Sequence, residues 1–152
     1  MTQGTFPVHI EAEPSAVWPW VVDLNKHAQW SPTKYEVEML SGSTGQVGAR
    51  YRSVGWIPGD SDHVNDVEVT KVEENRHFAF TAHEDQGDFM NTFDLRASGE
   101  GTTYVEYQLV FPKMRGVSAV MVPIVFPLVG KPKIRQRMQM LKSLVETGSA
   151  SA

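Results

Sequence analysis

The sequence predicts an α+β fold in which a curved antiparallel sheet of seven strands wraps around a long C-terminal helix, with two short helices after the first strand. Three observations predict this order of elements. Apolar residues alternate with polar ones near the N-terminus, then take a helical spacing up to residue 30, and then alternate again over about 80 residues. The last part of the chain returns to a helical spacing, so one long helix is available to cover a face of the sheet.

The first strand and the two short helices are predicted from the first 32 residues. Residues 6–11 alternate apolar and polar side chains, which is typical of a half-buried strand. Pro14 suits a first helical turn, and the apolar residues after it follow one helix face: Val17, Trp20, Val21 and Leu24. Pro19 removes a backbone donor and predicts a kink. Asp23 predicts the cap of a second short helix that ends near Trp30.

Six further strands and the long helix complete the fold. The strands are joined by short turns of Gly, Asn, Asp and Ser, and they cover residues 35–40, 49–55, 63–73, 77–83, 88–97 and 102–111. Consecutive strands with such short connections pair antiparallel. Four apolar residues then predict an amphipathic helix by their spacing: Ile134, Met138, Leu141 and Val145. If the sheet curls around this helix, a cavity opens between them.

Length and composition bound the class of protein. A chain of 152 residues makes one domain, and we expect residues 1–147 to form it and residues 148–152 to be a flexible tail. The absence of cysteine excludes disulfides, thiolate metal sites and cysteine nucleophiles. A net charge of −4 argues against a nucleic-acid partner. The N-terminus shows no export signal, which predicts a cytoplasmic protein.

Sequence motifs for catalysis or cofactor binding are missing. The chain has no nucleophile elbow, no glycine-rich phosphate loop before a helix and no HExxH pair, so we expect neither a metal nor a cofactor. Histidines stand near carboxylates in residues 60–66 and 83–88. Both groups fall in turns or at strand ends, and we interpret them as solvated loops.

Several short segments resemble one known family along nearly the whole chain. They include residues 8–14, 17–18, 30–32, 47–50 and 141–146, with Phe78, Phe80, Gly101 and Thr102. This pattern resembles the START-like superfamily, also called SRPBCC or Bet v 1-like, and within it the bacterial group of polyketide cyclase/dehydrase and lipid-transport proteins. The resemblance implies the helix-grip fold. It does not select a function, because members include lipid carriers, hormone receptors, chaperone activators and aromatase/cyclases.

Strand alternation predicts which side chains face the C-terminal helix. The candidate ligand-binding residues on the inner face are Tyr51, Ser53, Phe78, Phe80, Asn91, Phe93 and Tyr107. Three further candidates would close one end: Met114, Met121 and Phe126. An apolar, aromatic lining with a few polar groups is typical of a small-molecule site, but the same residues can also fill a core. Asn91 and Tyr107 are informative because a buried polar side chain needs a partner.

The leading functional hypothesis is binding, with transport as an option, of an apolar or amphipathic small molecule that is lipid-like or polyketide-like. The alternative is an enzyme of the polyketide cyclase or dehydratase type that acts in the same cavity without a metal. No catalytic residue is assigned, because Arg50 and Arg52 face outward if Tyr51 faces inward. A third class, a protein-interaction module, would show an exposed apolar patch.

The charge distribution singles out the C-terminal region. Between residues 107 and 145 there are seven basic residues and no acidic one. Residues 116–130 within it are uncharged and apolar, contain two prolines and are too few to span a bilayer. They form a lid, the buried start of the long helix or a membrane-contact surface, and the sequence leaves these alternatives open. Peripheral contact with an anionic membrane and a monomer or weak homodimer complete the expected partners.

Overall fold

The computed structural model describes residues 1–151, with side chains described up to residue 148. Within these residues, seven antiparallel strands form one sheet in the order β1-β7-β6-β5-β4-β3-β2. The strands are β1 Thr2–Ile10, β2 Tyr35–Ser41, β3 Arg50–Ile57, β4 Asp60–Glu73, β5 His77–His83, β6 Phe89–Ala97 and β7 Thr103–Phe111. Two helical segments follow β1 and a long helix follows β7, so the predicted helix-grip α+β fold is confirmed.

The sheet is curved by irregularities in its pairing. The register shifts between Met39 and Ser41 in β2, between Gly55 and Ile57 in β3, and between Val69 and Lys71 in β4. Such bulges bend a strand and increase its twist. The side of the sheet with buried side chains therefore becomes concave, and the C-terminal helix lies against it.

The two segments after β1 follow the predicted order. Helix α1 spans Pro14–Val22 with Pro19 inside it, and a 3₁₀ helix spans Leu24–Trp30. The side chain of Asp23 accepts a hydrogen bond of 3.0 Å from the backbone N–H of Asn25, which confirms the predicted cap. This 3₁₀ helix brings three side chains into the core, those of Leu24, His27 and Trp30, which are all fully buried.

The C-terminal helical region has three consecutive parts: α2 Gly116–Val125, a π-helical turn Phe126–Gly130, and α3 Lys131–Ser151. Met138, Leu141 and Val145 of α3 are buried, as their spacing predicted. Lys142 and Glu146 tie α3 to the first strand through the backbone of His9 and Glu11. The bounds of α3 extend to Ser151, whereas the side chains of the expected tail beyond residue 148 lie outside the described residues.

The structure of residues 116–130 bears on the three alternatives that the sequence leaves open for this segment. The two prolines do not end the helix, because the π-helical turn restores backbone pairing: the N–H of Lys131 donates to the carbonyl of Phe126 five residues earlier. No residue of α2 is buried and Phe126 is the buried residue of the segment, so residues 116–130 begin the long helix but lie mostly outside the core. By length and composition alone, helix Gly116–Gly148 is long enough to cross a membrane; 6% of its most apolar window is buried, with a mean hydropathy of 1.5.

Candidate functional site

The concave face of the sheet carries the residues that strand alternation assigned to it. All seven inner-face candidates are buried: Tyr51, Ser53, Phe78, Phe80, Asn91, Phe93 and Tyr107. Arg50 and Arg52, on the opposite parity, are exposed. The alternation therefore predicts the inner face correctly across β3, β5, β6 and β7, where no bulge reverses it near these positions.

Aromatic rings fill much of the space that these residues enclose. The rings of Phe93 and Tyr107 stack with centroids 4.4 Å apart, and Phe80 stacks on Phe93 at 6.4 Å. Two grooves of about 300 and 460 Å³ lie on the surface formed by the described residues, one beside His77 and one beside Met140; neither is between the sheet and α3. In this conformation aromatic rings therefore pack closely against one another on the inner face.

A buried polar cluster interrupts this aromatic core at Arg137 of α3. One guanidinium nitrogen lies 2.7 Å from Nδ1 of His27. The guanidinium carbon stands 4.3 Å from the ring centroid of Trp30, 5.8 Å from that of Tyr35 and 5.9 Å from that of Tyr107. Among the described side chains, no Asp or Glu forms an ion pair with Arg137. The positive charge is therefore surrounded by aromatic rings and lacks a carboxylate.

The partners of His27 determine its protonation. Its Nε2 lies 2.7 Å from the carbonyl oxygen of Val21, which can only accept, and its Nδ1 faces Arg137, which can only donate. His27 is therefore the neutral tautomer with the proton on Nε2. Burial, and then the charge of Arg137, lower the pKa of His27 well below 6.5. Both ring nitrogens are engaged, so this histidine positions Arg137 and has no free atom for proton transfer.

Tyr107 and Asn91 form the second half of the cluster. The Tyr107 hydroxyl donates to Oδ1 of Asn91. Burial raises the pKa of Tyr107 to about 12, although nearby Arg137 acts in the opposite direction. Nδ2 of Asn91 and Nε of Arg137 are buried without a hydrogen-bond partner. Two donors are thus left over in one cluster, and an oxygen atom of a ligand or a water would satisfy them.

Two neighbours extend the cluster toward β2 and β3. Burial raises the pKa of Tyr35, and the charge of Arg137 and the hydroxyl of Ser53 act in the opposite direction. Ser53, predicted for the site, therefore lies within reach of this cluster. Tyr51 points to a different place: burial raises its pKa, and the groups that influence it are Thr44 and Asp23. Of the predicted polar residues, the cluster thus includes Ser53, Asn91 and Tyr107.

The three candidates for closing one end have different positions. Phe126 is buried, with its ring centroid 5.2 Å from that of Phe111 and 6.4 Å from that of Phe6, so it anchors the C-terminal end of α2. Met114 is half-buried against Gly87. Met121 is exposed on the outer face of α2, which corrects the expectation that it lines the interior. The side chain of Met121 is not buried in the core.

Comparisons with known proteins fit this geometry. The family model described as polyketide cyclase / dehydrase and lipid transport matches residues 1–146. The chain belongs to this family. Three solved structures share its fold: a START superfamily protein of Mycobacterium smegmatis (19% identity, 95% of this chain and 97% of that chain, TM-score 0.76), a protein of Thermus thermophilus (16%, 97% and 99%, 0.75) and the Zhui aromatase/cyclase of a Streptomyces species (14%, 95% and 93%, 0.80).

A comparison with curated protein sequences gives no match. Family membership therefore indicates hydrophobic ligand binding or polyketide cyclase-type activity, without choosing between them. At these identities, the solved structures establish the shared fold alone. The choice depends on the side chains of this family member, and above all on the cluster around Arg137.

Sequence reasoning missed Arg137, His27 and Tyr35. A signal for Arg137 exists: it stands three residues after Ile134 and four before Leu141, so it belongs to the apolar stripe of α3 rather than to the polar face. A basic residue on a buried stripe predicts a buried charge. His27 gives no such signal, because a histidine in a short 3₁₀ helix has no periodic pattern that predicts its burial.

The structure corrects the expectation of solvated loops for the histidine and carboxylate groups, because Asp60 and His63 belong to the first residues of β4 and His83 is the last residue of β5. Nε2 of His63 lies 2.8 Å from Oε1 of Glu84, and Nδ1 of His63 lies 3.3 Å from Oδ2 of Asp60. Nδ1 of His83 lies 3.1 Å from Oδ1 of Asp88. Among the described residues, no group of three or more His, Asp or Glu side chains is arranged to hold a metal ion. These pairs connect the start of β4 to the loop between β5 and β6.

Proposed function

We propose that this family member binds an amphipathic small molecule, lipid-like or polyketide-like, between the sheet and α3, with an anionic or carbonyl oxygen of the ligand at Arg137. The observation that supports it most is the half-buried guanidinium of Arg137, which packs against aromatic rings and has no carboxylate partner among the described residues. A buried charge is costly unless it is paired. An oxygen of the ligand would compensate the charge, and its apolar part would contact the rings of Phe80 and Phe93.

Entry of the ligand requires movement of part of the cover, because the inner face is packed. Helix α2 is suited to this movement, since none of its residues is buried and its C-terminal end is anchored mainly by Phe126. A segment with few buried contacts opens at a lower free-energy cost than the core. We therefore propose that the ligand enters at the α2 end and displaces the contacts that Phe126 makes with Phe111.

Binding fits the cluster better than proton transfer does. A general acid or base works best with a pKa near the ambient pH and a free atom within reach of the substrate. His27 uses both nitrogens for Val21 and Arg137, and the pKa of Tyr107 is about 12. The groups in the cluster are therefore donors that hold an oxygen in place, and the proposal assigns no cofactor to them.

A second candidate function is supported by the same donors. Arg137, Tyr107 and Asn91 can stabilise a developing enolate on a poly-ketone, as preorganised hydrogen bonds do in enzymes. The similar fold of an aromatase/cyclase adds a fold-level analogy. If the protein is such an enzyme, Tyr107→Phe lowers turnover of a poly-ketone while ligand affinity changes little, and equal product profiles for the variant and the wild type exclude this role.

The remaining parts of the proposal concern assembly and location. We propose a cytoplasmic protein that acts as a monomer or weak homodimer and has no nucleic-acid partner. The net charge of −4 supports the last point, because nucleic-acid-binding domains usually carry a basic net charge. Sedimentation velocity on the purified protein measures its oligomeric state directly.

The test of the main proposal compares two apolar dyes. The anionic dye 1-anilinonaphthalene-8-sulfonate carries a sulfonate, and N-phenyl-1-naphthylamine is a similar neutral ring system. We expect Arg137→Gln to weaken binding of the anionic dye by about tenfold or more, which is the value of one charge-assisted hydrogen bond, and to leave the neutral dye nearly unchanged. Arg135→Gln, on an exposed position of the same helix, is the matched control and should change neither affinity.

Two results would contradict the proposal. One is a wild-type protein that binds neither dye with a defined stoichiometry in fluorescence titration and native mass spectrometry. The other is an equal loss of both dyes in Arg137→Gln, which would indicate a general disturbance of the core. Arg137→Lys keeps the positive charge, so it should retain part of the affinity for the anionic dye, and thermal unfolding of each variant shows whether the fold is preserved.

A further inference from the structure

Helix α2 presents an apolar face to solvent. Its large exposed side chains are Val117, Val120, Met121 and Ile124, and Leu128 continues the same face in the π-helical turn. They are spaced at i, i+3, i+4, i+7 and i+11, which places them on one side of the helix. Val117 and Leu128 are 68% and 73% exposed. In an ordinary surface helix such a stripe faces the core, so here the usual orientation is reversed.

Basic side chains surround this α2 apolar face. Lys113 and Arg115 precede α2, and Lys131, Lys133 and Arg135 follow the π-helical turn. Seven basic residues and no acidic one occur between residues 107 and 145, a local charge of +7. The remaining residues carry seven basic and eighteen acidic side chains, a net charge of −11. Along the chain, the basic segment therefore coincides with the exposed apolar stripe.

The hairpin between β3 and β4 adds two exposed apolar side chains at the same end of the molecule. Trp56 and Ile57 are 36% and 40% exposed at its tip. The amine of Lys133 stands 5.7 Å from the ring centroid of Trp56, which places the hairpin tip beside the first turn of α3. A tryptophan next to a lysine is typical of residues at a membrane–water interface.

The backbone holds α2 in this orientation at both ends. The N–H of Arg115 donates to the carbonyl of Gln86 at 2.6 Å, and the N–H of Ser118 donates to the Gln86 side chain at 2.8 Å. Phe126 is buried at the other end. In this conformation the apolar side of α2 therefore points outward.

We propose that the α2 apolar face, together with the tip of the β3–β4 hairpin, docks on the surface of an anionic lipid bilayer. Apolar side chains would enter the acyl boundary, and the surrounding lysines and arginines would contact lipid phosphates. Charge complementarity selects this occupant. A second copy would bring one basic rim against another, because a two-fold interface pairs the same patch with itself.

Vesicle co-sedimentation tests the apolar part of the proposal. The vesicles contain phosphatidylcholine alone or with about 30% phosphatidylglycerol. We expect binding to the anionic vesicles and little to the neutral ones. Val120→Ser/Leu128→Ser should lower the affinity by about tenfold or more, since two apolar side chains that would enter the bilayer are lost. Leu40→Ser/Val47→Ser is the matched control, because both of its residues are exposed and lie near the turn between β2 and β3, and it should bind like the wild type.

The charged rim is tested in the same assay. Lys113→Gln/Lys133→Gln removes two charges beside the α2 apolar face and should weaken binding to anionic vesicles by about tenfold or more. Arg50→Gln/Lys71→Gln removes the same number of charges from exposed strand positions, so it separates a local effect from an effect of net charge. The control should retain most of the affinity, and added salt should weaken wild-type binding.

Three outcomes would overturn the proposal. Equal binding to neutral and anionic vesicles contradicts the role of the basic rim. Equal losses in the test and control pairs contradict the location on α2. Absence of vesicle binding, together with a dimer in sedimentation velocity that Val120→Ser/Leu128→Ser abolishes, assigns the face to a second copy. All of these variants change exposed side chains, so the fold is expected to survive, and circular dichroism verifies this.

Discussion

The two halves of the helix Gly116–Gly148 treat their apolar residues in opposite ways. The α3 half buries Met138, Leu141 and Val145 and, apart from the half-buried Arg137, exposes polar residues such as Arg135 and Gln139. The α2 half buries no residue and exposes its apolar stripe. One half therefore stabilises the domain, and the other is free to interact with something outside it. Apolar periodicity thus predicts that a helix face will be covered. It does not predict whether the rest of the domain or an external partner covers that face.

The largest difference between the halves is expected in stability. Leu141→Ala removes a fully buried side chain of α3 and should lower the free energy of unfolding by about 2–5 kcal/mol. Leu128→Ala removes a side chain that is 73% exposed and should change it by less than about 0.5 kcal/mol. Urea denaturation of both variants measures the two values, and similar values would mean that the C-terminal helix packs uniformly.

The next prediction concerns the pH dependence of stability. It involves His27, which contacts Arg137 of the α3 half. Because the pKa of His27 is lowered by burial and by Arg137, the folded state keeps it neutral while the unfolded chain takes up a proton below about pH 6.5. The stability contributed by neutral His27 is therefore lost as the pH falls below that value. Urea unfolding between about pH 7.5 and 5 should show a decrease for the wild type that His27→Gln reduces.

His63 is the control for this pH dependence, since its pKa changes in the opposite direction. Burial lowers the pKa of His63, but ion pairs with Glu84 and Asp60 outweigh burial and raise it. Its contribution is present below about pH 6.5 and is lost as the pH rises through the raised value. His63→Gln should therefore make the decrease on acidification steeper. A flatter profile in His63→Gln than in His27→Gln would contradict both assignments.

A smaller effect on stability is expected from alanine substitutions at two glycines. Gly130 ends the π-helical turn between α2 and α3, and Gly148 lies near the end of α3. A Cβ at Gly130 would lie 2.8 Å from the ring of Phe126, which Phe111 and Phe6 confine, so Gly130→Ala should destabilise the protein by about 1 kcal/mol. At Gly148 a Cβ meets nothing within 4 Å, and Gly148→Ala should stabilise the helix by up to about 1 kcal/mol. Thermal unfolding gives the two signs, and equal signs would contradict the packing of Phe126.

Most of the fold follows from local sequence patterns, and the site follows only in part. Strand alternation assigned Asn91 and Tyr107 to the interior correctly, because side-chain direction in a strand depends on parity alone. The role of Arg137 depends on which side of α3 meets the 3₁₀ helix, and this is a tertiary fact. Met121 is exposed and does not close one end of the interior as predicted. The sequence pattern does not show that the core is already covered by α3.

The central claim is that Arg137 recognises an anionic oxygen of a ligand inside the fold. The most direct measurement is a crystal structure of the protein with a saturated fatty acid of about 14 carbons, a length that an interior site of about 300–1,000 Å³ accommodates. We expect the carboxylate to lie within hydrogen-bond distance of Arg137 and Nδ2 of Asn91. The acyl chain should lie along the rings of Phe80 and Phe93. A fatty acid bound elsewhere, or one with its carboxylate in solvent, would contradict it.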